Sequence, residues 1–206
     1  MKHELIIWDW NGTLLDDTAR CVETVNSMLS KRGLPTLTVQ AYREVFDFPV
    51  AEYYLKIGFD FAREPFDSLA VEYIEKYNSA MEFCALQKDA VEVLKHFRDA
   101  GTKQIVLSAC EQGLLEKQIA DYRLTGYFDA LVGQKDIYAG GKLGAAQDYF
   151  AGGISDALLI GDTTHDYEVA RALNADCRLV ANGHHSRERL QKCGVPVYES
   201  LLGCIE

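Results

Sequence analysis

Five polar residues stand at or near the ends of short apolar runs. Asp9 closes "LIIWD", Ser108 lies near the end of "KQIVLSA", Asp162 and Asp166 belong to "GDTTHD", and Lys142 precedes a helical pattern in "YAGGKLGAA". Three carboxylates, a hydroxyl and a lysine in one place suit a cation-assisted reaction on a phosphate. Mg²⁺ takes oxygen ligands, typically a few carboxylates with waters and substrate oxygens, and Asp9 and Asp162 supply two. A carboxylate can also serve as nucleophile and form an aspartyl-phosphate. Ser108 and the backbone N–H groups beside it, such as that of Ala109, are suited to donate to phosphoryl oxygens, with Lys142 as a point charge. Each residue alone has a plainer use: a strand-end Asp or Ser caps a helix or turn, and a lone lysine is usually solvated. Their order, at the ends of successive strand–helix units, favours a shared site.

That convergence requires an α/β fold with a doubly wound parallel sheet, in which ligands sit beyond the carboxyl ends of the strands. The apolar runs "LIIWD", "KQIVLSA", "DALVG", "DALLIGD", "CRLVAN" and a weaker "VPVYES" read as its strands. Helical patterns separate most of them, over residues 88–100, 111–123 and in "DYEVARALNA", and this alternation implies helices on both faces. Residues 17–87 break the pattern. They carry helical stripes (Cys21, Val22, Val25, Met28, Leu29, then Leu69, Ala70, Tyr73, Ile74, Tyr77, Ala80, Met81) and no convincing strand. They read as a helical insertion over the end of the first strand, leaving 1–16 and 88–206 as the core. The Asn-Gly step in "LIIWDWNGTLLDD" also fits a hairpin turn between two strands.

Composition bounds the partners. The 206 residues are 48% hydrophobic with a formal net charge of −10, which argues against nucleic acid or an anionic membrane as a partner. A small phosphorylated metabolite is still admissible, because local charge and a bound cation decide affinity inside a cleft. No segment has the length of a membrane span or signal peptide. Six widely spaced cysteines without a CxxC pair suggest reduced, mainly buried thiols. A soluble cytoplasmic monomer or homodimer is expected.

The order Asp9 with Gly12-Thr13, Ser108, Lys142, then Gly161-Asp162 with Asp166 resembles the haloacid dehalogenase-like superfamily. "YFDALVGQKDIYAGGK" and "NGHHSRERL" look like its phosphoglycolate-phosphatase-type members. The resemblance implies a Rossmann-like core with a type 1 helical cap, Mg²⁺ as cofactor, and hydrolysis of a small phosphate monoester. Asp9 would be nucleophile and metal ligand, and Asn11 would offer its backbone carbonyl to the metal. Thr13, Ser108, Ala109 and Lys142 would bind the phosphoryl group. Asp162 would complete the metal site, with Asp166 holding the metal's water or Lys142. One residue departs from the family: position 11 usually carries an Asp that exchanges protons with leaving group and water, help typically worth about 10²–10⁴-fold. An amide cannot do this.

Three readings follow. One is a phosphomonoesterase; a second is an enzyme of the same fold with another leaving group, an acyl phosphate or a phosphonate. The third is a slow or non-catalytic binder of a phosphorylated ligand. Among other residues, "FDFPVAEYY" reads as substrate-contacting or lid residues, with its Tyr and Phe more as cap core, Arg43 and Lys56 as cap contacts for an anion, and His165 as a hydrogen-bonding or exposed residue. Cys110 reads as a buried small side chain, and His184 and His185 as a surface loop at the cleft rim. His185 and Asp16 are the candidates to replace the missing base.

Overall fold

The structure, a computed structural model, describes residues 3–79 and 84–205. The last two members of the second helical stripe, Ala80 and Met81, lie outside the described residues. The chain begins with β1 (Leu5–Trp8) and β2 (Leu15–Asp16), followed by α1 (Thr18–Lys31), α2 (Val39–Val45), α3 (Val50–Lys56) and α4 (Phe66–Asn78). β3 (Ala85–Leu86) and α5 (Ala90–Asp99) lead into an alternation of β4 (Lys103–Glu111), α6 (Gln112–Asp121), β5 (Ala130–Gln134), α7 (Leu143–Tyr149) and β6 (Ala157–Gly161). It ends with α8 (Thr164–Leu173), β7 (Asp176–Val180), α9 (Arg187–Gln191) and β8 (Val197–Tyr198).

Six strands form one sheet in the order β5-β4-β1-β6-β7-β8, all parallel. The run "LIIW" is apolar throughout because β1 is covered on both faces. Ile6 and Trp8 face one layer, with Leu94 of α5 and Ile119 of α6. Ile7 faces the other, with Ala146 of α7 and Val169 of α8. Trp8 Nε1 donates to Gln104 Oε1 at 2.9 Å, so the indole is buried without an orphaned donor. The chain winds outward from β1 through β4 to β5, then returns to β6 on the other side of β1. The strand order therefore reverses beside β1, and Asp9 and Asp162 each follow the last residue of a strand flanking that crevice.

The insertion has a core of its own. Val25, Met28 and Leu29 of α1 pack with Tyr42, Tyr54 and Leu69. The Arg32 guanidinium ties this unit together through Glu64 at 2.6 Å and Glu72 at 2.7 Å.

Two expectations need correction. The region read as free of strands contains β3, which pairs antiparallel with β2. The hairpin alternative for "LIIWDWNGTLLDD" fails as well, because β2 pairs with β3 and not with β1. Instead Trp10 O accepts from both Leu14 N and Leu15 N, and the resulting loop lifts the chain off the sheet at Gly12, whose φ of +78° favours glycine.

Ile7 is fully buried in the central strand. Ile7→Ala should lower the free energy of unfolding by about 2–5 kcal/mol, read from urea denaturation. Val71→Ala, at a position 45% exposed, should change it by less than about 0.5 kcal/mol.

Candidate active site

The carboxyl edge of the sheet gathers Asp9, Thr13, Ser108, Lys142, Asp162 and Asp166, all buried. Lys142 stands at the centre. Its ammonium lies 2.5 Å from Asp9 Oδ1 and 2.5 Å from Asp166 Oδ1, and donates to Leu107 O at 3.1 Å. The residue is placed from behind, since its backbone N–H donates to His165 Nε2 at 2.9 Å. His165 thus has the hydrogen-bonding role expected of it. Asp166 also closes a capping box with Thr163 at the start of α8, so its carboxylate serves the helix and the lysine together. Thr13 Oγ1 lies 2.9 Å from Asp9 Oδ2 and 2.9 Å from Asp162 Oδ1, and its single proton serves one carboxylate at a time.

Asp162 is held by backbone. His184 N donates to its Oδ2 at 2.5 Å. A Cβ on Gly12 would come within 2.3 Å of the same oxygen, and one on Gly183 within 2.0 Å. Both glycines are therefore required by close approach.

Burial and charge set the ionisation. Burial lifts the Asp9 carboxyl well above its ordinary range; Lys142 opposes this, while Asp166 and Asp162 add to it. Burial raises Asp162 too, against the pull of His184. Asp166 is buried as well, yet the adjacent ammonium holds it below the usual value. Carboxylate oxygens of Asp9, Asp162 and Asp166 lie within 4.8 Å of one another. Counting Asp17 and a protonated His184 beside them, four carboxylates face two cations, a formal charge of −2. Hard oxygen donors with that charge excess fit a divalent cation of the Mg²⁺ type.

The surroundings of Asn11 explain its amide. Asn11 Nδ2 donates to Asp17 Oδ2 at 2.8 Å, and Tyr77 OH donates to the same oxygen at 2.5 Å. Asp17 Oδ1 accepts from Gly12 N at 2.9 Å and meets His184 Nε2 at 3.3 Å. Asp17 thus needs donors on every side, and a carboxylate at position 11 would be a like charge in hydrogen-bond range. Burial works to lower the His184 pKa, but the Asp17 carboxylate overrides it and lifts it to about 9. Burial works in the opposite sense on Asp17, and His184, Tyr77 and Asn11 together bring it below its ordinary value.

Several sequence expectations change here. His184 and His185 are buried, 4% and 0% exposed, and are not on a surface loop. His185 accepts from Thr164 N, and burial, with the charges of Arg189 and His184, pushes it down to about 3, which leaves it neutral. Asp16 is exposed in β2. Neither lines the cavity next to Asp9, whereas Asp17 and His184 do. Ser108 does not cap α6: Glu111 does, accepting from Gly113 N and Leu114 N, while Ser108 Oγ accepts from Cys110 N. Cys110 is half-buried and lines the same cavity. Arg43 donates to the carbonyls of Gly183 and Asn182, and Lys56 is exposed; neither reaches the cavity. The sequence reading missed Asp17, which precedes α1 like an ordinary cap but makes no capping bond to it. The acidic pair Asp16-Asp17, three residues beyond the Asn-Gly step, was the available signal.

Comparison with known proteins gives a consistent picture. The family model described as haloacid dehalogenase-like hydrolase matches residues 6–180. A phosphoglycolate phosphatase from Caulobacter vibrioides is 28% identical over 87% of this chain and 79% of its own length. Another from Xanthomonas campestris is 35% identical over 47% of this chain and 44% of its own. A haloacid dehalogenase-like family hydrolase from Streptococcus pneumoniae superposes with a TM-score of 0.83 at 14% identity, covering 99% of this chain and 97% of that one. That last likeness is one of fold.

Two outcomes test the Asp17 network. Asn11→Asp should cost about 1–3 kcal/mol of stability at neutral pH, a loss that shrinks as the pH falls toward 4 and one carboxyl takes up a proton. In the wild type, the raised His184 contributes stability that is complete below its ordinary 6.5 and lost as the pH rises through about 9. Urea midpoints of the metal-free protein should fall across that window, and His184→Gln should flatten the fall.

Proposed function

The chain belongs to the haloacid dehalogenase-like hydrolases, and from that premise we propose that it is a Mg²⁺-dependent phosphatase acting on a small phosphate monoester through an Asp9 phosphoenzyme. The observation that carries this reading is the buried set of Asp9, Asp162 and Asp166 around one lysine, at the point where the strand order reverses. The names of the curated relatives, phosphoglycolate phosphatases, support phosphate-ester hydrolysis as the reaction class.

Asp9, Asp162 and the backbone carbonyl of Asn11 would hold the divalent cation, with Asp166 nearby. When bound, the cation offsets negative charge between carboxylate and phosphoryl group. Everything else falls to the chain. An Asp9 carboxylate oxygen attacks phosphorus, and the ester oxygen leaves with the bonding pair. Thr13, Ser108 and the Ala109 N–H bind phosphoryl oxygens, and Lys142 holds Asp9 oriented and screens its charge. Water then attacks the phosphorus of the acyl phosphate, releasing phosphate and the free carboxylate. Position 11 supplies no proton in either step, because its amide is committed to Asp17 and Tyr77.

Residues 17–87 act as a cap that excludes water during transfer. Arg189, bonded to Phe46 O at 2.6 Å and Asp47 at 2.9 Å, latches it to the core in the closed form. A carbon–phosphorus hydrolase using a cap lysine finds no support, since Lys142 is the sole lysine among the described cavity-lining residues. Among the described residues no helix is long and apolar enough to cross a membrane.

Chelation with EDTA should abolish phosphatase activity and added Mg²⁺ should restore it. Asp9→Asn should lower kcat by roughly 10³-fold or more and remove the acid-trapped phosphoenzyme. Unchanged turnover in Asp9→Asn would refute the nucleophile.

A further inference from the structure

The cavity that opens from Asp9 runs into the helical unit and is mostly aromatic. Phe46, Phe48, Tyr53, Tyr54, Phe66 and Tyr73 line it, with Phe46 against His184 and Phe48 against His165. The whole cavity, its Asp9 end included, has a volume of about 140 Å³. Among the described residues, its only cationic lining groups are Lys142 and His184. Both are already engaged, by Asp9 with Asp166 and by Asp17. The nearby cap arginine, Arg43, is turned onto backbone carbonyls. A substrate with a carboxylate on its alcohol, as in phosphoglycolate, would find no free cation there.

Position 11 adds an independent constraint. Position 11 has no proton to give the departing oxygen, and the proton on His184 is held against Asp17, so a leaving group stable as an anion is favoured. A phenol, like the tyrosine hydroxyl, ionises near about 10, whereas an alkyl alcohol is closer to water at roughly 15.7. We propose that the preferred substrate is an aryl phosphate monoester, its phosphoryl group at Asp9 and its single ring in the aromatic cavity. This rests on the phosphatase reading above. In the first step the Asp9 O–P bond forms and the P–O(aryl) bond breaks, its electron pair leaving on the phenolate oxygen. Water then cleaves the acyl phosphate, giving phosphate, the Asp9 carboxylate and protons that solvent passes to the phenolate. Tyr53 lines the cavity, and its hydroxyl is buried without a hydrogen-bond partner among the described residues.

The test compares kcat/KM with Mg²⁺ for phenyl phosphate, cyclohexyl phosphate, 2-phosphoglycolate and acetyl phosphate, with a series of substituted phenyl phosphates. Phenyl phosphate should exceed both cyclohexyl phosphate and phosphoglycolate by at least about 100-fold, and rates should fall steeply as the phenol becomes less acidic. Filling the cavity with Ala70→Leu, or with Ile74→Phe should the first fail to fold, should cut phenyl phosphate turnover at least about tenfold and spare acetyl phosphate. Equal rates on phenyl and cyclohexyl phosphate, or a preference for phosphoglycolate, would overturn the aryl assignment and leave the phosphatase reading intact. No turnover of any of the four compounds, with no phosphoenzyme, would overturn both.

Discussion

The whole site depends on one buried ammonium. Lys142 is 3% exposed and sits between two carboxylates that are themselves buried. Removing an ion pair of this kind from water carries a desolvation cost that only close geometry and further hydrogen bonds repay. Here the ammonium donates to Asp9 and the Leu107 carbonyl and forms an ion pair with Asp166, so elements far apart in the chain are fixed by one group: the end of β1, the start of α8, strand β4 and the start of α7. The same group cannot balance Asp162 as well. That shortfall makes the cluster suited to a divalent cation; burial, with the neighbouring carboxylates, keeps Asp9 and Asp162 above their ordinary pKa, while Lys142 holds Asp166 below its own.

A second buried centre, Asp17, controls what position 11 can be. Its two oxygens take hydrogen bonds from Asn11, Tyr77 and Gly12 and face a protonated His184. Tyr42 and the thiol of Cys21 complete the surround. An acid at 11 would need to hold its proton permanently to fit this arrangement, which is incompatible with exchanging it in catalysis. The amide is thus a consequence of where the negative charge has been placed. In this chain it lies at Asp17, in the cap-proximal half of the cavity, where it locks His184 and two tyrosines into position.

The sheet and most of its chemistry were legible in the sequence because both obey short-range rules. Continuous apolar runs with a polar last residue are what a doubly wound sheet needs at its carboxyl edge, and Asp9, Ser108, Lys142 and Asp162 fall there. The Asp17 network was not legible, because its partners come from α1, α4 and the loop after β7, and no spacing relates Asn11 to Tyr77 or His184. The pairing of β2 with β3 was hidden for a similar reason. Two-residue strands have no periodicity to detect, and their partners lie 70 residues apart. Arg43 shows the limit most clearly: a cationic residue near a lid suggests an anion contact, and only the fold reveals that it faces carbonyl oxygens.

The placement of Arg43 and Arg189 also determines the character of the cavity. Both guanidiniums sit at the seam between helical unit and core, spent on main-chain carbonyls of residues 182 and 183 on one side and 43 and 46 on the other. Charged side chains thus stand at the seam, at the sheet edge and, with Asp17 and His184, in the cavity wall, while much of the remaining lining is aromatic. Next to apolar walls the field of the Asp9–Lys142 cluster is less screened than in bulk water. A ligand spanning the cavity must be anionic at one end and apolar at the other. For the aryl phosphate proposed above, the bond between those ends would lie at the boundary, beside Asp9, and its cleavage would leave each fragment in the part of the cavity that matches its chemistry.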